Sequence, residues 1–472
     1  MKDSSDRGLK QAIDWRIIIY YLLLVFIGFI NIYASIHSSE PNSIFDFSVR
    51  SGKQFVWILT GIVLATLILF VFNPRLWEVI SIPSYLIVLV LLVAVIFVGS
   101  DVKGSHSWFN LGPVSFQPAE VSKIATSLVL ATIMSKTNFK MSNLKDLLLV
   151  AAVIALPMLI IIAEKETGSA LVYLGFIFVL YREGLSGWFL FFLGVVILLF
   201  ILTLTTSIYT ALIVLAAVAS LCYSIYSDKL KRWFWADVPA ILVLIFVPKI
   251  NLPFSPIYIY FALTGVQAAR MAYNSFRQRK FITFATLVAF LIGIGIIFST
   301  EYIFNNVLQD HQRSRIEVLL GMKDDPAGVG YNVNQSKIAI GSGGFFGKGF
   351  LQGTQTTYGF VPEQSTDFIF CTVGEEWGFL GCLVVILLYV FLIYRLITDA
   401  ERCRDQFTRI YGYCVASIIF MHLFINVGMT IGIMPVIGIP LPLLSYGGSS
   451  LWAFTILIFI FVALYRQEKK YF

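Results

Sequence analysis

Charge is what this chain has least of. Only 13% of its 472 residues are Asp, Glu, Lys or Arg, whereas 58% are hydrophobic and the mean hydropathy is +0.84. A soluble domain carries about 25% charged residues, so a soluble globular chain is excluded and a polytopic integral membrane protein is implied. Cysteine is sparse too: Cys222, Cys371, Cys382, Cys403 and Cys414 are odd in number and lack metal-ligand spacing. They imply neither a disulfide framework nor a zinc site. The four histidines are too scattered in sequence to suggest a metal site by themselves. No small-residue cleavage site accompanies the first apolar run after MKDSSDRGLKQAIDWR, so that run reads as a retained helix rather than a removed signal peptide.

The charge that is present has a sign and a place. The net charge is +7, but the cations sit in short clusters between apolar runs, where they act as topology signals rather than as a nucleic-acid surface. The clusters are Lys136, Lys140 and Lys145; Lys229, Lys231 and Arg232; Arg277, Arg279 and Lys280; and Arg395, Arg402, Arg404 and Arg409. All are placed in the cytoplasm. A span needs about 20 mostly apolar residues. Spans are expected near residues 16–36, 55–72, 79–98, 119–135, 147–163, 167–182, 187–205 and 209–227, and later near 281–300, 367–394, 411–431 and 450–466. The stretch 236–273, broken by Pro248, Pro253 and Pro256, crosses twice or not at all. The expectation is therefore an all-α polytopic bundle of 14 or 12 spans, with both termini cytoplasmic.

This topology places residues 99–118, 301–366 and 432–449 on the outer face. The middle segment far exceeds the usual connection, and loops beyond about 12–15 residues are usually functional or disordered. Its Gly, Asn and aromatic residues alternate with apolar ones, which argues for short amphipathic helices on the membrane surface, especially around NVNQSKIAIG. The run GSGGFFGKGF is not a nucleotide-binding loop, because it lacks the Lys-Ser/Thr pair at the required spacing. The turn IMPVIGIPLPLLSYGGSS interrupts a span with prolines and glycines, and such backbone persists only where protein buries it or water reaches it.

Ionisable residues at membrane depth are costly and usually line a cavity or a reaction site. Asp367 stands where the long polar loop meets an apolar helix, in STDFIFCTVGEEWGF. A reacting carboxylate and an acidic residue placed against a helix start both fit that position. Glu120 and Lys123, in FQPAEVSKIATSLVL, share one helix face, with Pro118 suited to the first turn. Such spacing usually means a surface ion pair, but entry into a span favours a pair lining a polar cavity. Arg313 and Arg315 read either as solvated loop charges or as phosphate ligands, since a guanidinium fork matches phosphate oxygens.

FQPAEVSK, DDPAGVGYNVNQSKIAIGSGG, PEQSTDFIFCTVGEEWGFLG and NVGMTIGIMPVIGIPLPLLSYGGSS occur in order and in matching compartments. Together they resemble the SEDS family (shape, elongation, division and sporulation) of bacterial membrane glycosyltransferases, over most of the chain outside roughly residues 188–300. GKGFLQGTQ is more similar to the RodA branch than to the FtsW branch. The resemblance implies a ten-helix core with two to four extra helices, and a peptidoglycan glycosyltransferase. Such an enzyme polymerises lipid II into glycan on the outer face of the bacterial cytoplasmic (inner) membrane, during elongation and cell-shape maintenance.

By the same resemblance the essential carboxylate falls on Asp367, the paired acid and base on Glu120 and Lys123, and the loop arginine on Arg315. Lys337, Gln335, Trp108, Ser445 and Tyr446 complete the implied substrate-binding set. The implied partners are lipid II and polyprenyl-linked glycan, a class B penicillin-binding protein transpeptidase and other membrane proteins of the elongation complex, with no nucleic acid. A divalent metal ion, magnesium or manganese, accompanies the family's chemistry, but the sequence assigns it no ligands.

Departures are local. Where the family has Pro-Asp, this chain has Lys165 and Glu166 before Thr167 and Gly168, keeping the acid and losing the proline. Ser107 stands before Trp108 where relatives often carry arginine, and Lys53 replaces another common arginine. The chain is longer than typical relatives, with the excess near 188–280, read as an accessory transmembrane insertion between core segments 1–187 and 281–472. A lipid II flippase, a division-specific FtsW-type polymerase and a non-catalytic scaffold are the rivals. No inverted repeat or paired broken span of the transporter kind is apparent.

Overall fold

The computed structural model describes residues 13–36, 44–102, 105–111, 114–226, 230–246, 255–278, 281–308, 310–320, 322–323 and 330–471. The polar start, Lys229, Arg279 and Lys280, Pro248 and Pro253, and the DDPAGV run at 324–329 lie outside them. The chain divides into two compact units, Met1–Leu185 with Asp325–Phe472, and Ser186–Asp324.

The first unit opens with three apolar helices, α1 (Trp15–Ile36), α2 (Arg50–Phe70) and α3 (Arg75–Val98). A small antiparallel sheet follows: β1 (Ser100–Val102), β2 (Ser105–Leu111) and β3 (Val114–Phe116), in that order, with Ser100 opposite Trp108 and Phe109 opposite Phe116. The all-α expectation omits this sheet. Its strands are three to seven residues long, too short for alternation to stand out against the neighbouring apolar runs.

α4 (Pro118–Met134) starts directly after β3, with Pro118 in the first turn, where its missing N–H costs nothing. Glu120, Lys123 and nearly every other side chain on this helix are buried. α5 (Leu144–Ala163), α6 (Thr167–Val172), a 3-10 turn at Tyr173–Gly175 and α7 (Phe176–Arg182) complete the N-terminal part.

The second unit holds α8 (Trp188–Thr205), α9 (Ile208–Tyr226), α10 (Leu230–Phe246), α11 (Ile257–Gln278), α12 (Phe281–Asn306) and α13 (Asp310–Leu319). Its core gathers Leu212, Tyr223, Tyr260, Leu287, Phe290 and Ile297. Helices α10 and α11 occupy the proline-broken stretch on either side of residues 247–254.

The first unit resumes with α14 (Tyr331–Ser342), on the segment expected to be amphipathic, then α15 (Thr354–Thr357), α16 (Ile369–Arg402), α17 (Gln406–Ile431) and α18 (Gly448–Tyr471). Asp405 caps α17 by accepting the Thr408 N–H at 2.9 Å, and Gly432, at φ +78, ends it in the left-handed conformation glycine favours. α17 packs on α16, α4 and α7; α16 also packs on α1, α2 on α18, and α3 on α4. Among the described residues, ten helices are long and apolar enough to cross a membrane. α4, with its buried charges, and the Thr167–Arg182 segment are shorter, so a uniform 20-residue rule overcounts full-length spans. The protein is a multi-pass membrane bundle.

Candidate active site

Residues 361–368 run as turns into α16, and the N-cap position falls on Phe368, one residue after Asp367. Helix capping therefore does not account for the aspartate. What fixes it is the broken turn between α17 and α18. Ser445 Oγ donates to the Thr366 carbonyl at 2.6 Å, and the Tyr446 N–H donates to the Ser365 carbonyl at 2.8 Å. Asn426 Nδ2 donates to the carbonyls of Asp367 at 2.8 Å and Ile439 at 2.7 Å. Arg50 donates to Ser365 Oγ at 2.5 Å and lies over the Tyr446 ring at 5.7 Å. The backbone is pinned on both sides of Asp367 while the half-buried carboxylate faces Gly438. A Cβ added to Gly438 would lie 3.4 Å from Asp367 Oδ2, on a backbone at φ +75 that side chains rarely adopt. The glycine is exposed, and no side chain of its own stands against the acid.

On α4, Lys123 Nζ donates to Glu120 Oε1 at 2.8 Å, with both side chains at most 3% exposed. The expected pair is thus present and buried. It is also part of a longer chain: Lys123 Nζ lies 2.8 Å from His422 Nε2, and His422 Nδ1 lies 3.1 Å from the Pro440 carbonyl. Phe454 seals this group, under the ammonium at 5.5 Å and edge-on to the imidazole at 4.9 Å. Glu120 Oε2 has no hydrogen-bond partner.

A second acidic group stands where α5 turns into α6. Glu166 Oε1 accepts from Gln117 Nε2 and Ser169 Oγ, each at 2.5 Å. Burial pushes its carboxyl up, hydrogen bonds from Ser169, Gln117 and Ser107 pull it down, and the Glu120 charge raises it. Glu164 is buried with neither carboxylate oxygen partnered, and burial, then the charge of Glu166, push it up to about 8. The broken turn covers this group as well, since a Cβ on Gly168 would meet Ile439 Cγ1 at 2.9 Å and the Ile437 carbonyl at 3.0 Å. One turn, 437–440, thus touches the Asp367 segment, the α6 start and the end of the Lys123 chain.

The remaining expected residues are placed less uniformly. Ser445 and Tyr446 act through the bonds above. Lys337 is exposed on α14, with Nζ 2.5 Å from where a Gly432 Cβ would lie, so the cation rests against the C-terminus of α17, where a helix dipole favours it. Gln335 is half-buried on the same helix, whose Ser336 donates to the Thr430 carbonyl at 2.9 Å. Trp108 is half-buried on β2, and its carbonyl accepts from Ser100 Oγ at 3.1 Å. Arg315 belongs to the second unit, on α13, where burial lowers its pKa; its neighbour Arg313 pairs with Glu317 at 2.9 Å. Among the described residues no three His, Cys, Asp or Glu side chains converge to hold a metal ion.

Sequence reasoning missed His422, Asn426, Gln117 and Glu164, and assigned Ser107 no role. The available signal was a polar pair spaced i, i+4 in an apolar span, His422 and Asn426. Glu375 was also missed: it is fully buried and accepts from Lys348 Nζ at 2.7 Å and from the Gln355 and Thr356 N–H groups at 2.9 Å, tying residues 348–356 to α16.

Comparison with known proteins agrees with the motifs. Residues 14–232 and 213–470 match the family described as cell cycle protein, FtsW/RodA/SpoVE. The chain is 31% identical over 446 residues to the peptidoglycan glycosyltransferase RodA of Treponema pallidum (strain Nichols), covering 94% of this chain and 95% of that protein. It is 32% identical over 379 residues to the peptidoglycan glycosyltransferase MrdB of Escherichia coli (strain K12), covering 80% and 75%. Two solved structures share the fold. One comes from a study of how a peptidoglycan synthase complex coordinates polymerization and crosslinking, at TM-score 0.60 and 22% identity over 97% of this chain and 98% of that one. The other is the rod shape determining protein RodA of Thermus thermophilus, at TM-score 0.55 and 22% identity over 97% of each chain.

Proposed function

The chain belongs to the FtsW/RodA/SpoVE family of cell cycle proteins, and from that premise we propose that it is a peptidoglycan glycosyltransferase of the RodA branch. It polymerises lipid II into glycan strands on the outer face of the cytoplasmic membrane during elongation. The observation that carries this reading is the Asp367 carboxylate, held on a pinned backbone facing the exposed Gly438. Glycosyl transfer requires a base for the acceptor sugar hydroxyl and positive charge for the departing diphosphate. Asp367 takes the hydroxyl proton, the oxygen attacks the anomeric carbon, and the polyprenyl diphosphate leaves with the bonding electrons. Lys123 and Lys337 supply positive charge. For Arg315 the phosphate role rests on the resemblance alone. A divalent ion in this reaction would draw ligands from the donor's phosphates, as magnesium commonly does.

Both substrates carry polyprenyl tails, which explains why a sugar-transferring protein is this apolar. A class B penicillin-binding protein that crosslinks the product is the proposed partner, with other membrane proteins of the elongation complex alongside it. Both termini face the cytoplasm. The test is incubation of the purified protein with lipid II, with and without that transpeptidase. Polymeric glycan supports the enzyme. Translocation of lipid II across vesicles without polymer would replace it with the flippase reading.

A further inference from the structure

His422 and Asn426 have no part in the reaction as written, yet they are 1% and 0% exposed in the middle of a membrane helix. Polar groups in such a place are costly and are kept for a purpose. Four residues apart, they share a face of α17. The Pro440 carbonyl can only accept, so His422 Nδ1 carries the proton and donates to it, and Nε2 keeps its lone pair for the Lys123 ammonium. Asn426 uses only its donors, one to Ile439 and one to Asp367, while its Oδ1 has no partner. Ile439 and Pro440 directly follow Gly438, which faces the Asp367 carboxylate.

We propose that His422 and Asn426 form a two-rung strut that sets the Asp367 carboxylate in register with the Glu120–Lys123 pair, making both of them positioning residues for glycosyl transfer. The strut rests on the proposed base role of Asp367 for its effect on rate, but not for its effect on structure. His422 reaches Lys123 across 299 residues of sequence, and Asn426 reaches Asp367 across 59. One helix therefore registers two halves of the site that are remote in the chain. Misplacement of a reacting group by about 1 Å costs about 100-fold in rate.

Two readouts on purified, full-length protein test this: lipid II polymerisation kinetics, and hydrogen exchange in peptides covering 363–368 and 436–446. His422→Leu removes both bonds and should lower kcat about 100-fold with KM changed less than about threefold. His422→Gln, whose amide offers one donor and one acceptor, should recover to within about tenfold of the native rate. Asn426→Asp keeps the shape, loses the donors, and should behave like His422→Leu. Exchange in both peptides should rise in His422→Leu and Asn426→Asp, and stay native in His422→Gln and Asp367→Asn.

Native turnover per folded molecule in His422→Leu, or a glutamine variant no better than leucine, overturns the strut. If the leucine variant does not fold, the glutamine variant decides against His422→Asn, which is too short to span both partners: equal rates overturn the proposal. An active Asp367→Asn protein sinks the base assignment instead, and the exchange pattern alone then judges the strut.

Discussion

In the second unit a buried aspartate is closed off. Asp237 on α10 takes Arg270 as its ion-pair partner and accepts from Ser220 Oγ at 2.6 Å, while Gln267 donates to Ser220 at 2.7 Å and to the Ala216 carbonyl at 3.0 Å. In the first unit Glu375 is closed in the same way, by Lys348 and two backbone N–H groups, but other buried carboxylates are left open. One oxygen each of Glu120 and Glu166, and both of Glu164, lack a partner. Both units place acids among apolar helices, but among the described residues only the first leaves buried carboxylate oxygens without a partner. A closed polar network fixes helices against each other. An open one, held rigid from outside, is ready to take a proton or bind a substrate hydroxyl, which is why perturbed acids collect at reactive sites.

The comparison sharpens most at Glu120 and Lys123. Removing one member of a buried pair leaves an uncompensated charge and costs about 3–5 kcal/mol. Glu120→Gln and Lys123→Met should each abolish activity or stable protein, with the double variant less impaired than the sum. Additive losses in a double-mutant cycle, read as polymerisation and thermal midpoint, would show that the two do not interact.

The closed network should respond in the opposite currency. Asp237→Asn leaves Arg270 without its counter-charge and should lower stability by about 1–3 kcal/mol, with turnover per folded molecule unchanged. Thermal unfolding in detergent beside single-turnover kinetics checks it. A large fall in turnover at normal abundance would move chemistry into the second unit.

The smallest effect concerns pH. The Glu164 carboxyl, pushed up to about 8 by burial and by Glu166, titrates at its ordinary 4.5 once unfolded. Across that window the folded state holds more protons at this group than the unfolded one, so its contribution to stability is fully present below about 4.5 and is lost as pH rises toward 8. Glu164→Gln should flatten this slope, and its advantage in thermal midpoint should grow between those limits. Parallel curves for the two proteins would rule out the buried acid as the source.

The sequence made the apolar class legible because composition alone decides it, and it made Asp367 legible because a carboxylate at a polar–apolar border stands out. Glu120 and Lys123 were legible through helical spacing. The rest depends on contacts between distant segments. Ser107 and Gln117 matter because the sheet and the α4 start bring them to Glu166, across 49 residues in the case of Gln117. Read in isolation, Ser107 was only a missing arginine. His422 looked like a scattered histidine until folding set it against Lys123. Arg313 read either as a solvated loop charge or as a phosphate ligand, and only the fold shows it beside Glu317 and over the Phe304 ring at 5.2 Å.

The most direct test of the account is polymerisation of purified lipid II by the native protein and by Asp367→Asn, both shown to be folded and membrane-inserted. The amide keeps the shape of the side chain but cannot accept the acceptor sugar's proton. The account predicts long glycan from the native protein and none from the variant. Near-native glycan from Asp367→Asn would contradict it, because the chemistry would then lie somewhere other than the junction of residues 361–368 with α16.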